Sequence, residues 1–76
     1  MTTPHQIRAA RALVGLSQSE VAAMTGRTTK TIRRAETDVS DVAEETITAI
    51  RAALEAAGVV FLPENGNGPG VALKKE

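Results

Sequence analysis

The sequence predicts a mainly α fold, four short helices closed by a C-terminal β-hairpin. Three observations carry that expectation. Apolar residues up to Ala57 recur at helical spacing. Ser, Thr and Gly punctuate the helices, with Gly15, Gly26 and Gly58 at predicted helix ends. After Gly58 the pattern changes to two β-branched runs around a turn-rich segment. The 76 residues make one small domain, and Phe61 is its single aromatic. A chain this short buries only about 60% of its unfolded surface, so burial against a partner adds useful stability.

Helix 1 begins at Pro4, with Thr3 as its cap, because proline tolerates the first helical position where its missing N–H is not needed. It runs to about Val14, with Ile7, Ala10, Leu13 and Val14 as its apolar stripe. Gly15 ends it. Helix 2 spans Gln18 to Thr25 and opens on Ser17-x-x-Glu20. In that capping box the serine oxygen accepts from the Glu20 backbone N–H while the carboxylate accepts from the Ser17 N–H. Gly26 stops helix 2 by taking a left-handed conformation at little cost.

Thr28 caps helix 3, expected over Thr29 to Glu36. Ile32 and Ala35 face inward there, and Thr29, Lys30, Arg33 and Arg34 face out. Thr37 to Glu45 reads as an acidic loop with a turn capped by Ser40. Helix 4 follows to about Ala57, with Val42, Ile47, Ile50, Ala53 and Leu54 as its apolar set. The hairpin pairs Val59–Leu62 with Val71–Lys74 across the Pro63–Gly70 turn. An isolated hairpin is unstable in water, so these strands must pack on the helices or pair with another chain. Residues 1–58 therefore form the body of the domain and 59–76 an extension of it.

Composition removes several classes of function. No cysteine and one histidine, His5, leave no thiolate zinc site, cysteine nucleophile or all-histidine metal cluster. Neither a secretion signal nor an apolar run of membrane-spanning length is evident, so a cytoplasmic protein is expected. The Asn-Gly-Asn-Gly run lacks the strand, helix and lysine of a phosphate loop. Asp38, Asp41, Glu44 and Glu45 suit a helix start better than acid–base work. No catalytic residue, metal or cofactor is expected.

Net charge is zero, but it is segregated. Residues 1–34 hold six basic side chains against Glu20 alone, whereas 35–65 hold seven acidic ones against Arg51 alone. Such a molecule can turn a basic face to phosphates and its acidic half away. The turn between helices 2 and 3 has the offsets that closely crossing helices require. Counting from Gln18, the fourth and fifth residues are Val21 and Ala22, the ninth is Gly26 and the fifteenth is Ile32. A bulky fifth residue would push the helices apart. Two helices so joined can lay the second in the major groove of DNA.

Gly15-Leu16-Ser17-Gln18-Ser19-Glu20-Val21-Ala22, then Gly26 and Thr31-Ile32-Arg33-Arg34-Ala35-Glu36, resemble the Xre-type regulators related to phage lambda repressor and Cro. The resemblance covers roughly residues 5–57 and implies their helix-turn-helix fold and sequence-specific binding of double-stranded DNA. It implies that Gln18 touches a phosphate and braces the recognition helix. Thr29, Lys30, Thr31 and Arg34 then match groove-facing positions, Arg33 a phosphate contact, and Arg11 with Glu36 an ion pair between helices 1 and 3. The residue types fit those roles. Lys30 or Arg34 can donate to guanine, the Thr29 methyl can meet thymine, and the Thr28 cap leaves N–H groups aimed at a phosphate.

Two residues depart from the family pattern. Arg27 follows Gly26 where an apolar residue is usual, and is expected to swing out to a phosphate or lie along the surface by its stem. Ala35 is smaller than its usual counterpart. The family's fifth helix is replaced by the hairpin, so its dimer geometry does not transfer. A homodimer is nevertheless expected, since one recognition helix reads few bases. Its contact is assigned to Val59, Val60, Phe61, Leu62, Val71 and Leu73, because unpaired strand edges invite pairing. The functional reading is a transcriptional regulator, a repressor or phage/mobile-element regulator in kind; the alternative is an antitoxin or anti-activator whose main role is binding a partner protein.

Overall fold

A computed structural model describes residues 2–75. Helices α1 (Pro4–Leu13), α2 (Gln18–Thr25) and α3 (Thr29–Ala35) are followed by a 3₁₀ turn (Val39–Asp41), α4 (Glu44–Ala56) and the antiparallel strands β1 (Val59–Leu62) and β2 (Gly70–Leu73). The strands pair Val59 with Leu73 and Leu62 with Gly70, so β2 starts and ends one residue earlier than the sequence pattern indicates. Gly70 joins the ladder as the partner of Leu62, and Lys74 falls just beyond the strand. Lys74 still extends the pairing, donating its N–H to Gly58 O at 2.7 Å.

The caps explain where the helices begin. Ser17 and Glu20 form the reciprocal box expected at α2. A second box, unforeseen, opens α1: the Thr3 hydroxyl accepts from Gln6 N and Gln6 Oε1 accepts from Thr3 N. Gly15 and Gly26 both lie at positive φ, 69° and 67°, the conformation that ends a helix without Cβ strain. At the acidic loop the expectation fails. Asp38, not Ser40, caps the 3₁₀ turn, its carboxylate accepting from both the N–H and the hydroxyl of Ser40. An acceptor one residue ahead of the turn reaches those donors, and Ser40 already lies inside it. Helix α4 then starts after Ala43 without a side-chain cap.

Ile7, Val21, Ile32, Ile50 and Leu54 form the centre of the core, and Val59 and Phe61 join it from β1. Leu13 departs from its predicted role. It is 42% exposed, while Ala10 and Val14 of the same stripe pack on the core. The hairpin packs on α1 and α4, and one side chain fastens it. Buried Gln6 donates from Nε2 to Leu62 O at 3.1 Å and to Gly70 O at 2.9 Å, joining both strands to the start of α1. Nearby, the Arg51 guanidinium lies 5.0 Å from the centre of the Phe61 ring.

Candidate nucleic-acid interface

The α2–α3 pair is held by a polar cluster at its base. Glu36 is only 4% exposed, and both its oxygens are occupied. Arg11 Nε and Nη2 donate to them at 2.7 and 3.0 Å, and Gln18 Nε2 donates to Oε1 at 3.2 Å. Arg11 also donates from Nη1 to Leu16 O in the α1–α2 turn. One carboxylate at the end of α3 thus gathers α1, the turn and the first residue of α2. A forked, charge-assisted contact of this kind fixes orientation as well as distance. The hydrogen bonds from Arg11 to Glu36 raise the guanidinium above its ordinary value, against the opposing effect of burial.

Helix α3 is short, and its two buried residues decide which way the others face. Ile32 and Ala35 are fully buried against the core. Lys30, Arg33 and Arg34 are exposed on the opposite side, with half-buried Thr29 and Thr31 on the flanks of that face. The spacing i, i+3, i+4 sets the three cations on one face of the helix. Among the described residues, none of the three makes an internal ion pair or side-chain hydrogen bond. Thr28 caps the helix through Thr31 N, and its hydroxyl lies 3.0 Å from that of Thr31. This contact orients Thr31 along the rim of the face.

Arg27 behaves differently from the cations beside it. It is half-buried, donating from Nε to Thr46 Oγ1 and from Nη1 to Thr25 O, both at 3.2 Å. It ties the end of α2 to α4 instead of standing out toward a phosphate. Buried Thr46 supplies the acceptor, nineteen residues away in sequence. Gln18 likewise has its amide nitrogen on Glu36, which is the bracing half of its expected role.

The hairpin residues assigned to a dimer contact separate into two groups. Val59 and Phe61 are 3% and 7% exposed and belong to the chain's own core, so they are withdrawn from that assignment. Strand alternation buries them against α4 and turns Val60 and Leu62 outward. Val71 is half-buried, while Leu73 is the most exposed large apolar residue described.

Two small-sided helices crossing at Gly26, with an unpaired basic face on the second, are what a groove reader requires. The sequence matches the profile of the helix-turn-helix family HTH_3 over residues 7–57, about two thirds of the chain. The chain belongs to this Cro/C1-type, Xre-like family. A DNA-binding helix-turn-helix regulator is therefore the class of protein to which it is assigned. None of the curated proteins compared with it matches significantly. Among the described residues, no three His, Cys, Asp or Glu side chains converge so as to hold a metal ion. No helix among them is long and apolar enough to cross a membrane.

Proposed function

We propose that the chain is a sequence-specific transcriptional regulator, of repressor type, that binds an operator as a homodimer. The observation that carries this reading is the difference between its basic side chains. Arg11, Arg27 and Arg51 are engaged inside the protein, whereas Lys30, Arg33 and Arg34 stand free together on α3. Lys30 and Arg34 serve base edges, Thr29 offers a methyl and a hydroxyl, and Arg33 takes a phosphate. Thr28 and Thr31 line the rim. Gln18 positions α3 through Glu36 and keeps its amide oxygen for a further contact. Each well-made base contact supplies about 1–3 kcal/mol of discrimination, so a single α3 cannot select one site in a genome. A two-fold pair reading half-sites about one helical turn apart can.

The hairpin supports the dimer reading by leaving Val60, Leu62 and Leu73 exposed, 38%, 39% and 56% respectively. The test is binding to the DNA upstream of the protein's own gene, over a series of salt concentrations. Specific binding that Lys30→Ala or Arg34→Ala removes is the expected result. Equal affinity for random DNA, or no binding at low salt, would refute the proposal. The antitoxin or anti-activator reading has the acidic half of the molecule as its support, and a partner protein that abolishes operator binding would favour it.

A further inference from the structure

A groove of about 610 Å³ opens between the 3₁₀ turn and the first half of α4. Val39, Val42 and Ile47 form its apolar floor, each packed on the core from beneath and half open above. Its surroundings are acidic. Glu44 lines it, and Asp38, Asp41 and Glu45 lie exposed beside it; among the described residues none of the four meets a basic side chain. Arg51 at the far end is already engaged with Thr2, Glu55 and the Phe61 ring.

A segment of complementary character lies at the opposite end of α4. Leu73 is 56% exposed, and the exposed Lys74 and Lys75 follow it. Neither lysine meets an acidic side chain among the described residues. The hydrogen bond from Lys74 N to Gly58 O fixes the segment at the C-terminal end of α4. Glu44 begins that thirteen-residue helix, and at 1.5 Å per residue its two ends stand about 20 Å apart. The segment therefore cannot cover its own groove.

We propose that the groove receives Leu73–Lys75 of a second copy, and that the exchange is reciprocal across a two-fold axis. Leu73 covers the aliphatic floor while Lys74 and Lys75 lie opposite Asp41 and Glu44. With the two α4 helices antiparallel, the Gly58 end of each meets the Glu44 end of the other. Thr48, Ala52 and Ala56 are exposed at i, i+4 spacing on α4, and side chains this small allow the helices to approach closely. The contact is self-complementary, so it closes at a dimer. It uses none of Lys30, Arg33 or Arg34 and leaves both α3 faces free. The inference rests on the homodimer reading and names its contact.

Sedimentation equilibrium of the full chain, without DNA, tests it. Lys74→Glu/Lys75→Glu is expected to raise the dimer dissociation constant about tenfold or more, and Asp41→Lys/Glu44→Lys to do the same. Combining all four reversals is expected to restore it to within about threefold of the wild type. All four positions are exposed, so the reversed proteins should keep native circular dichroism spectra, with a modest fall in melting temperature where positive charge is placed at the start of α4. A wild type that stays monomeric would overturn the proposal. So would reversals that leave association unchanged, or a combined variant no better than its parents. Binding of a half-site duplex at low salt is read in parallel. Its loss in a protein that still dimerises refutes the DNA reading and spares the contact; its retention in a protein whose association ignores the reversals does the opposite.

Discussion

Glu36 is the residue on which the most geometry depends. Its carboxylate is buried and made tolerable by three N–H donors from Arg11 and Gln18. Arg11→Ala would strand that charge with the Gln18 amide alone. Removing one member of a fully buried pair costs about 3–5 kcal/mol, and since the Arg11 side chain is 24% exposed the loss here falls at or just below the lower end of that range. Urea unfolding is expected to show a loss of about 2–3 kcal/mol for Arg11→Ala and much less for Arg11→Met combined with Glu36→Leu. A loss for the double variant as large as for Arg11→Ala would mean that packing, not the stranded charge, dominates. This pair was legible only through the family resemblance, because no local pattern connects residues 25 apart. Arg27 was less legible still. Its neighbours mark it as basic and near the turn, but its direction depends on an acceptor supplied by α4. Gly26 was readable from its position alone. A Cβ there would meet no neighbour, so the requirement for glycine comes entirely from its φ of 67°.

At the scale of elements, caps and registers decide how the helices and hairpin are joined. Thr3-x-x-Gln6 has the same capping spacing as Ser17-x-x-Glu20, so the first box was present in the sequence and could have been found. What no local pattern could show is that Gln6 also holds β1 and β2. Gln6→Leu keeps the volume but removes both N–H donors to Leu62 O and Gly70 O, together with the Oε1 acceptor of the Thr3 cap. Hydrogen exchange is expected to show protection falling in 59–73 while α2 and α3 keep theirs, with about 1–3 kcal/mol lost locally. Uniform loss across the chain would mean that the hairpin and helices unfold as one unit. The α2 cap makes a separate prediction about pH. Hydrogen bonds from the Ser17 backbone and side chain hold Glu20 below the ordinary carboxylate value of 4.5. A carboxylate lowered by folding stabilises the native state at neutral pH, and that contribution is lost as pH falls through its folded value. Glu20→Gln should therefore be less stable than the wild type at neutral pH, and their thermal melts should converge in acid. Parallel curves throughout would show that the charge of Glu20 contributes nothing to the cap.

For the whole molecule, the distribution of charge matters more than its sum. A net charge of zero would ordinarily argue against a nucleic-acid partner, yet the fold gathers Lys30, Arg33 and Arg34 on one exposed face and begins the acidic run at Glu36. At physiological ionic strength the Debye length is about 8 Å, so charges farther than that from a phosphate are largely screened. Contacts at the α3 face, not the molecular total, should then set the salt dependence of DNA binding. Each phosphate neutralised contributes about 0.9 to the slope of log affinity against log salt. Arg33→Ala is expected to lower that slope by about 1 per protomer while leaving the preference for the operator over random DNA intact. Lys30→Ala should instead reduce the preference itself, since a base contact discriminates between sequences and a phosphate contact does not. Glu45→Gln removes a negative charge from the acidic half and should leave the slope unchanged. A change in slope for Glu45→Gln as large as that for Arg33→Ala would show that the molecular total governs binding, and the segregated charge would lose its role in the mechanism.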